Sequence, residues 1–237
     1  MVKKLVFIIA LCVISFTSMA QDMPSRQAVE IEAGDGLILK GDYYSSPEAG
    51  VAVLLLHMNN SNKEAWSPFI PALHEAGYGV LAVDTRGFGS TGGVRDFELA
   101  QTDVQAWLDW LKSQDGVTGV AIIGASVGAN LALVACANDA ECLTVIALSP
   151  GENFLGVAPA DAIQTGLADR SALFVASLRD TESAQAVRTF AQIATGIFGV
   201  RMYDQGQHGT AYFTRRGVEE KINTFISWLD EYAIVAE

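Results

Sequence analysis

The sequence predicts an α/β fold, with a mostly parallel sheet covered by helices on both faces. Three observations carry this. Short apolar runs recur without polar alternation, as at residues 51–56 (VAVLLL) and 143–148 (LTVIAL), the pattern of strands buried on both sides. Segments with apolar residues at helical spacing separate those runs. One antiparallel hairpin signature leads into the series.

Taken in order, residues 28–32 and 37–44 flank the turn Gly34-Asp35-Gly36 and read as the hairpin. Residues 51–56 form the next strand. Residues 63–76 read as a helix ending at Gly77, a residue suited to closing a helix. A strand at 78–83 follows. Residues 97–112 read as a helix with Leu99, Val104, Trp107, Leu108 and Leu111 on its apolar face. Further strands are expected at 119–123, 143–148, 172–177 and 199–203. Helices are expected at 129–137, 160–168, 182–195 and 218–232. Only about 20 residues separate Ser149 from Ala172, which leaves no room for a helical lid. No internal repeat, low-complexity tract or linker breaks residues 21–237, which read as one domain.

Composition narrows the function. Half of the 237 residues are apolar and 18% are charged, which excludes a disordered chain. The formal net charge of −12 repels phosphate backbones and argues against nucleic-acid binding. Residues 1–20 read as a secretory signal. Lys3-Lys4 precede an apolar stretch at 5–16 too short to span a bilayer, and Ser18-Met19-Ala20 offers small residues before Gln21. The mature chain is therefore expected in the periplasm or outside the cell, with no stable membrane insertion. Cys12 leaves with that leader. Cys136 and Cys142 remain, an even count for an oxidising compartment. They form either a short disulfide around residues 137–141 or two buried thiols. No His or second Cys pair is near enough in sequence to suggest a metal.

The chemistry centres on Gly124-Ala125-Ser126-Val127-Gly128. This G-x-S-x-G run follows an apolar strand and precedes a helical stretch, the setting of a nucleophile elbow. A serine hydroxyl needs an adjacent base. Of the three His, His208 is the candidate, in a loop after the last strand. Ligands bind at the carboxyl ends of parallel strands, within reach of that loop. His57 ends a strand and reads as a structural hydrogen-bonder. His74 is expected on a solvated helix face. The orienting carboxylate is Asp180, after strand 172–177, giving the chain order Ser-acid-His. Glu182 is the runner-up. Asp204 is nearer His208 in sequence but is expected on another side, and Asp161 and Asp169 are expected in solvent. Asp84, in Asp84-Thr85-Arg86-Gly87-Phe88-Gly89, is expected to tie its own loop together through Arg86. For the oxyanion, the backbone N–H groups of Val127 and Asn59 are the candidate donors, with Met58 as alternative to Asn59.

Leu54-Leu55-Leu56-His57, the Asp84 to Ser90 segment, the elbow, and the Asp180 and His208 segments together resemble the α/β-hydrolase superfamily. The resemblance covers nearly the whole mature chain and lies nearest the small, lidless dienelactone-hydrolase-like and serine-aminopeptidase-like esterases. It implies an eight-stranded, mostly parallel sheet and Ser-His-Asp chemistry without cofactor. Met58 stands where a Gly is usual, and Ser126 where dienelactone hydrolases proper carry Cys.

The expected function is a serine hydrolase, a carboxylesterase on small or short-acyl esters, with a small-molecule substrate as its partner. A peptidase or amidase of the same fold is the enzymatic alternative. A catalytically idle binding protein is the non-enzymatic one. Trp66, Phe154 and Phe213 are candidates for acyl-pocket walls or for ordinary core.

Overall fold

The computed structural model describes residues 24–46 and 50–235; the expected leader at 1–20 lies outside them. Eight strands form one sheet in the order β1-β2-β4-β3-β5-β6-β7-β8. They are β1 (Gln27–Glu32), β2 (Ile38–Tyr44), β3 (Gly50–Leu56), β4 (Gly79–Asp84), β5 (Val117–Ala125), β6 (Cys142–Leu148), β7 (Ser171–Ser177) and β8 (Ile197–Tyr203). The β1–β2 hairpin is antiparallel and joins β4 antiparallel, while every pairing from β4 to β8 is parallel.

The period of two along each apolar run fills two cores at once. In β3, Leu54 and Leu56 enter one core, whereas Val53 and Leu55 enter the other. In β5, Ile122 faces the first and Ile123 the second. The first core is closed by α2 (Phe97–Lys112), α3 (Val127–Asn138) and α4 (Thr181–Ile193). The second is closed by α1 (Ile70–Glu75) and α5 (Val218–Tyr232).

Local chemistry sets the helix ends. Asp96 caps α2 by accepting from the N–H groups of Glu98 and Leu99, both at 3.0 Å, an arrangement worth about 1 kcal/mol. Leu99 itself is exposed, because the buried stripe runs through Phe97, Ala100, Val104, Trp107 and Leu111. The helix expected over 63–76 is divided into a 3₁₀ turn, Lys63–Trp66, and α1. Pro68 supplies no N–H to continue the ladder, and Pro71 suits only the first turn of a new helix. The segment expected as a helix over 160–168 is centred on a π-helical turn, Ala162–Gly166.

Cys136 and Cys142 are joined in a disulfide. It ties the end of α3 to the start of β6. A loop this short restricts the unfolded chain by about 2 kcal/mol. No helix among the described residues is long and apolar enough to cross a membrane.

Candidate active site

The G-x-S-x-G run folds as a strand, a sharp turn and a helix. Ser126 follows β5 and stands at the N-cap position of α3 with φ 55° and ψ −121°, a positive-φ conformation that strains a residue bearing a Cβ. Its N–H donates to the Leu148 carbonyl at 2.8 Å, and its own carbonyl accepts from Ala129 and Asn130. The flanking glycines are steric necessities. A Cβ on Gly124 would collide with the Gly128 backbone, and one on Gly128 would collide with the carbonyls of Leu56 and His57. Strand, helix and the loop after β3 therefore close on the serine from three sides.

Sheet register brings the other residues to the same end. Leu56 pairs with Gly124, so the segment from His57 to Asn59 leaves β3 beside the turn. Leu148 pairs with Val175, and Ser177 with Tyr203. Asp180 follows β7 and caps α4; His208 follows β8 and leads into a 3₁₀ turn, Gly209–Phe213. His208 Nδ1 and Asp180 Oδ2 are 2.7 Å apart. Burial is the largest single influence on Asp180 and opposes its ionisation, but the hydrogen bond and charge of His208, with the smaller pull of the Ser183 and Ser149 hydroxyls, together outweigh it and hold the carboxyl below its ordinary range. Gly209 lies against Ala125, with a Cβ at 209 landing 3.4 Å from that of Ala125. The imidazole loop thus reaches back across β7 and β6 to the serine turn. Among the described residues the Ser126 hydroxyl carries no hydrogen bond, and the described hydrogen bond of the His208 ring is the one to Asp180. The rival acids stand apart: Glu182 is exposed on α4, and Asp204 pairs loosely with Arg179 at 3.8 Å in solvent.

Sequence reasoning missed a buried hydroxyl cluster behind the imidazole. Ser149 follows β6 in a left-handed conformation, φ 52°. Its Oγ accepts from the Gly209 N–H at 3.1 Å and donates to Tyr212 Oη at 3.4 Å. Tyr212 also meets Ser177 Oγ at 3.2 Å. These groups pin the 3₁₀ turn that starts at His208. A non-glycine in that backbone region leaves no mark in the sequence, so no signal for Ser149 was available.

A family model described as alpha/beta hydrolase fold matches residues 51–193. The chain belongs to the α/β-hydrolase fold family. An uncharacterized protein of Mycobacterium tuberculosis strain H37Rv is 32% identical over 115 residues, which are 47% of this chain and 41% of that one. The esterase Pf2001 of Pyrococcus furiosus superposes with a TM-score of 0.77 at 19% identity, over 89% of this chain and 91% of its own. Dienelactone hydrolase from Anabaena variabilis gives 0.75 at 19% identity, over 90% and 100% respectively. At such identities the likeness is one of fold.

In this α/β hydrolase the two remaining histidines bond to backbone. His57 is buried, with Nδ1 2.8 Å from the Met58 carbonyl and Nε2 accepting the Thr85 N–H at 3.0 Å. Burial pushes its pKa down, consistent with a neutral ring donating through Nδ1. His74, expected in solvent, is half-buried with Nε2 3.1 Å from the Ser45 carbonyl.

Val127 occupies the first position of α3, and its N–H belongs to the helix end that intrahelical bonding leaves open. Asn59 sits in the loop after β3, its side-chain oxygen accepting weakly from Arg95 at 3.4 Å. Asp84 does tie its loop together, but through a different partner from the one expected. It accepts from Lys63 Nζ at 3.0 Å, the Lys63 N–H at 2.8 Å, and Ser90 N and Oγ, both at 2.7 Å. Arg86 turns the other way, forking onto Asp103 with two bonds of 2.6 Å and reaching Asp35 at 2.8 Å. The loop of Asp84 wraps its carboxylate so tightly that a Cβ on Gly89 would overlap it. Of the candidate pocket walls, Trp66 and Phe213 are core residues packed with Phe69 and Phe225. Phe154 alone adjoins the site, its ring 6.3 Å from that of His208. Asn130 of α3 holds the Phe154 loop by bonding the carbonyls of Gly151 and Val157.

Proposed function

We propose that this α/β hydrolase is a serine esterase in which Ser126, His208 and Asp180 form the catalytic triad. The 2.7 Å contact between His208 and Asp180, beside a positive-φ Ser126 at a helix N-terminus, carries the reading. Asp180 accepts from Nδ1–H of His208 and so leaves Nε2 with a lone pair for the serine proton. Ser126 Oγ attacks the ester carbonyl carbon while its proton passes to Nε2. The carbonyl π pair moves to oxygen, and the resulting oxyanion is held by the N–H groups of Val127 and Asn59. The carbon–oxygen bond to the alcohol breaks, and Nε2 returns its proton to that departing oxygen. Water then attacks the acyl-serine through the same base, which releases the acid and restores the hydroxyl. The chemistry draws only on these side chains and backbone groups. The disulfide favours the periplasm or the exterior as the place of work.

The test is covalent. The mature protein is incubated with a fluorophosphonate probe and assayed on p-nitrophenyl esters of increasing acyl length. Wild type is expected to label and to turn over the short esters, and Ser126→Ala to do neither. A folded wild type that neither labels nor hydrolyses would reduce the protein to a binding module.

A further inference from the structure

His208 lies in the wall of an open cleft of about 790 Å³. Its lining brings together Arg179, Arg215 and Arg216, three of the chain's nine arginines, with Asp204 as the one acidic residue. This is a local excess of positive charge on a chain whose formal net charge is −12. The arginines come from two separate segments that the fold fastens together. Arg179 follows β7, and its N–H donates to the Gln205 carbonyl at 3.0 Å. Arg215 and Arg216 lie on the turn before α5. Buried Lys221 holds that turn by donating to the Arg216 carbonyl at 2.7 Å and to Gln205 Oε1 at 3.3 Å. The arginine turn is thereby anchored to the loop that carries His208. The Arg179–Asp204 pair is solvent-exposed at 3.8 Å and too loose to neutralise the cleft. Gln207, next to His208 in the chain, is buried in the cleft wall, and its Oε1 has no partner among the described residues.

We infer that this cleft receives an anionic group, a carboxylate or phosphate, carried on the alcohol portion of the ester substrate. The inference rests on the serine-esterase reading and assigns a side to the substrate. The proton that frees the alcohol comes from His208, so the departing portion lies against the imidazole, and His208 is itself a lining residue of this cleft. Guanidinium forks match the oxygens of carboxylate and phosphate in plane. In a protein otherwise acidic, a cationic mouth also concentrates the field that draws an anion to the reacting bond. A hydroxyl or amide N–H on the same alcohol would satisfy Gln207 Oε1.

The experiment compares kcat/KM for 4-acetoxybenzoate and for its neutral counterpart 4-acetoxybenzamide. The carboxylate withdraws electrons less than the amide does and leaves the poorer leaving group, so any preference for the acid has to come from recognition. Wild type is expected to favour the acid. The ratio is expected to fall about tenfold or more in the Arg215→Ala/Arg216→Ala double variant, in Arg179→Ala alone by less, and with added salt. Arg188→Ala, which removes a cation from the exposed side of α4, is expected to preserve the ratio. 4-Acetoxyphenyl phosphate in the same assay separates a phosphate preference from a carboxylate preference. A wild-type ratio below one for both anions, or a ratio untouched by the arginine variants, would overturn the inference while leaving the esterase reading intact. No turnover of any ester together with no fluorophosphonate labelling would instead sink the esterase reading, and this inference with it.

Discussion

His57 and His208 both leave the carboxyl ends of parallel strands, yet their rings end in opposite conditions. His57 is 2% exposed, and both of its nitrogens are bonded to backbone groups. The His208 side chain is 39% exposed, with Nδ1 on a carboxylate. A base must keep one nitrogen open to the reacting proton and bond the other to something that stabilises its cation. His57 meets neither demand: its acceptor nitrogen is saturated, and burial disfavours its charged form. The same residue type thus serves as a backbone brace in one loop and, in the proposed triad, as the base in the other. The difference lies in what each ring nitrogen touches.

The sharpest way to break this contrast is to remove the groups around His208. Ser126→Ala and His208→Ala are each expected to lower kcat about 10⁴-fold or more, with melting temperatures near that of wild type. Asp180→Asn is expected to lower kcat by about 10²- to 10⁴-fold, because the amide favours the wrong imidazole tautomer. A near-normal rate in that variant would transfer the acid role to Glu182 or Asp204. His57→Leu should do the converse. It strands the Thr85 N–H and the Met58 carbonyl, and is expected to cost about 3 kcal/mol in urea unfolding while the folded fraction still labels at Ser126. Loss of labelling without loss of stability would reverse the two assignments. Opening the disulfide with Cys136→Ala/Cys142→Ala is expected to cost about 2 kcal/mol, with a smaller effect on ester turnover than any change at His208.

The smallest effect is one of pH. The folded pKa of His57 lies below its ordinary value of 6.5, so the unfolded chain takes up a proton there first. The stability this provides is complete above about pH 6.5 and is lost as pH falls toward the folded value. Urea midpoints at pH 7.5 and 5.5 should differ more for wild type than for His57→Gln. An equal difference in both proteins would remove the neutral, buried ring from the account.

Much of this was legible in the sequence because the signals were local. Continuous apolar runs marked the inner parallel strands, the Gly34-Asp35-Gly36 turn marked the hairpin, and Gly124 and Gly128 framed Ser126 closely enough to identify its turn. Asp180 and His208 followed from strand order and the rule that sites gather at carboxyl ends. What escaped depended on partners distant in sequence. Asp84 was assigned to Arg86, two residues away, but Lys63 at the start of a 3₁₀ turn reaches it instead and Arg86 forks onto Asp103. Ser149 and Tyr212 gave no sign of their contacts, which join the ends of different strands. The break at Pro68 was present in the sequence and was outweighed by apolar spacing on either side of it. Leu99 likewise satisfied a helical pattern but lies outside the buried stripe by one position.

The bare Cα of Gly128 rests on the carbonyls of Leu56 and His57, which leaves the serine turn and the β3 loop no slack between them. Any thermal displacement of one drags the other along. Under the proposed mechanism, the spacing between the Ser126 hydroxyl and the amides of that loop is then set by backbone contact between the two segments.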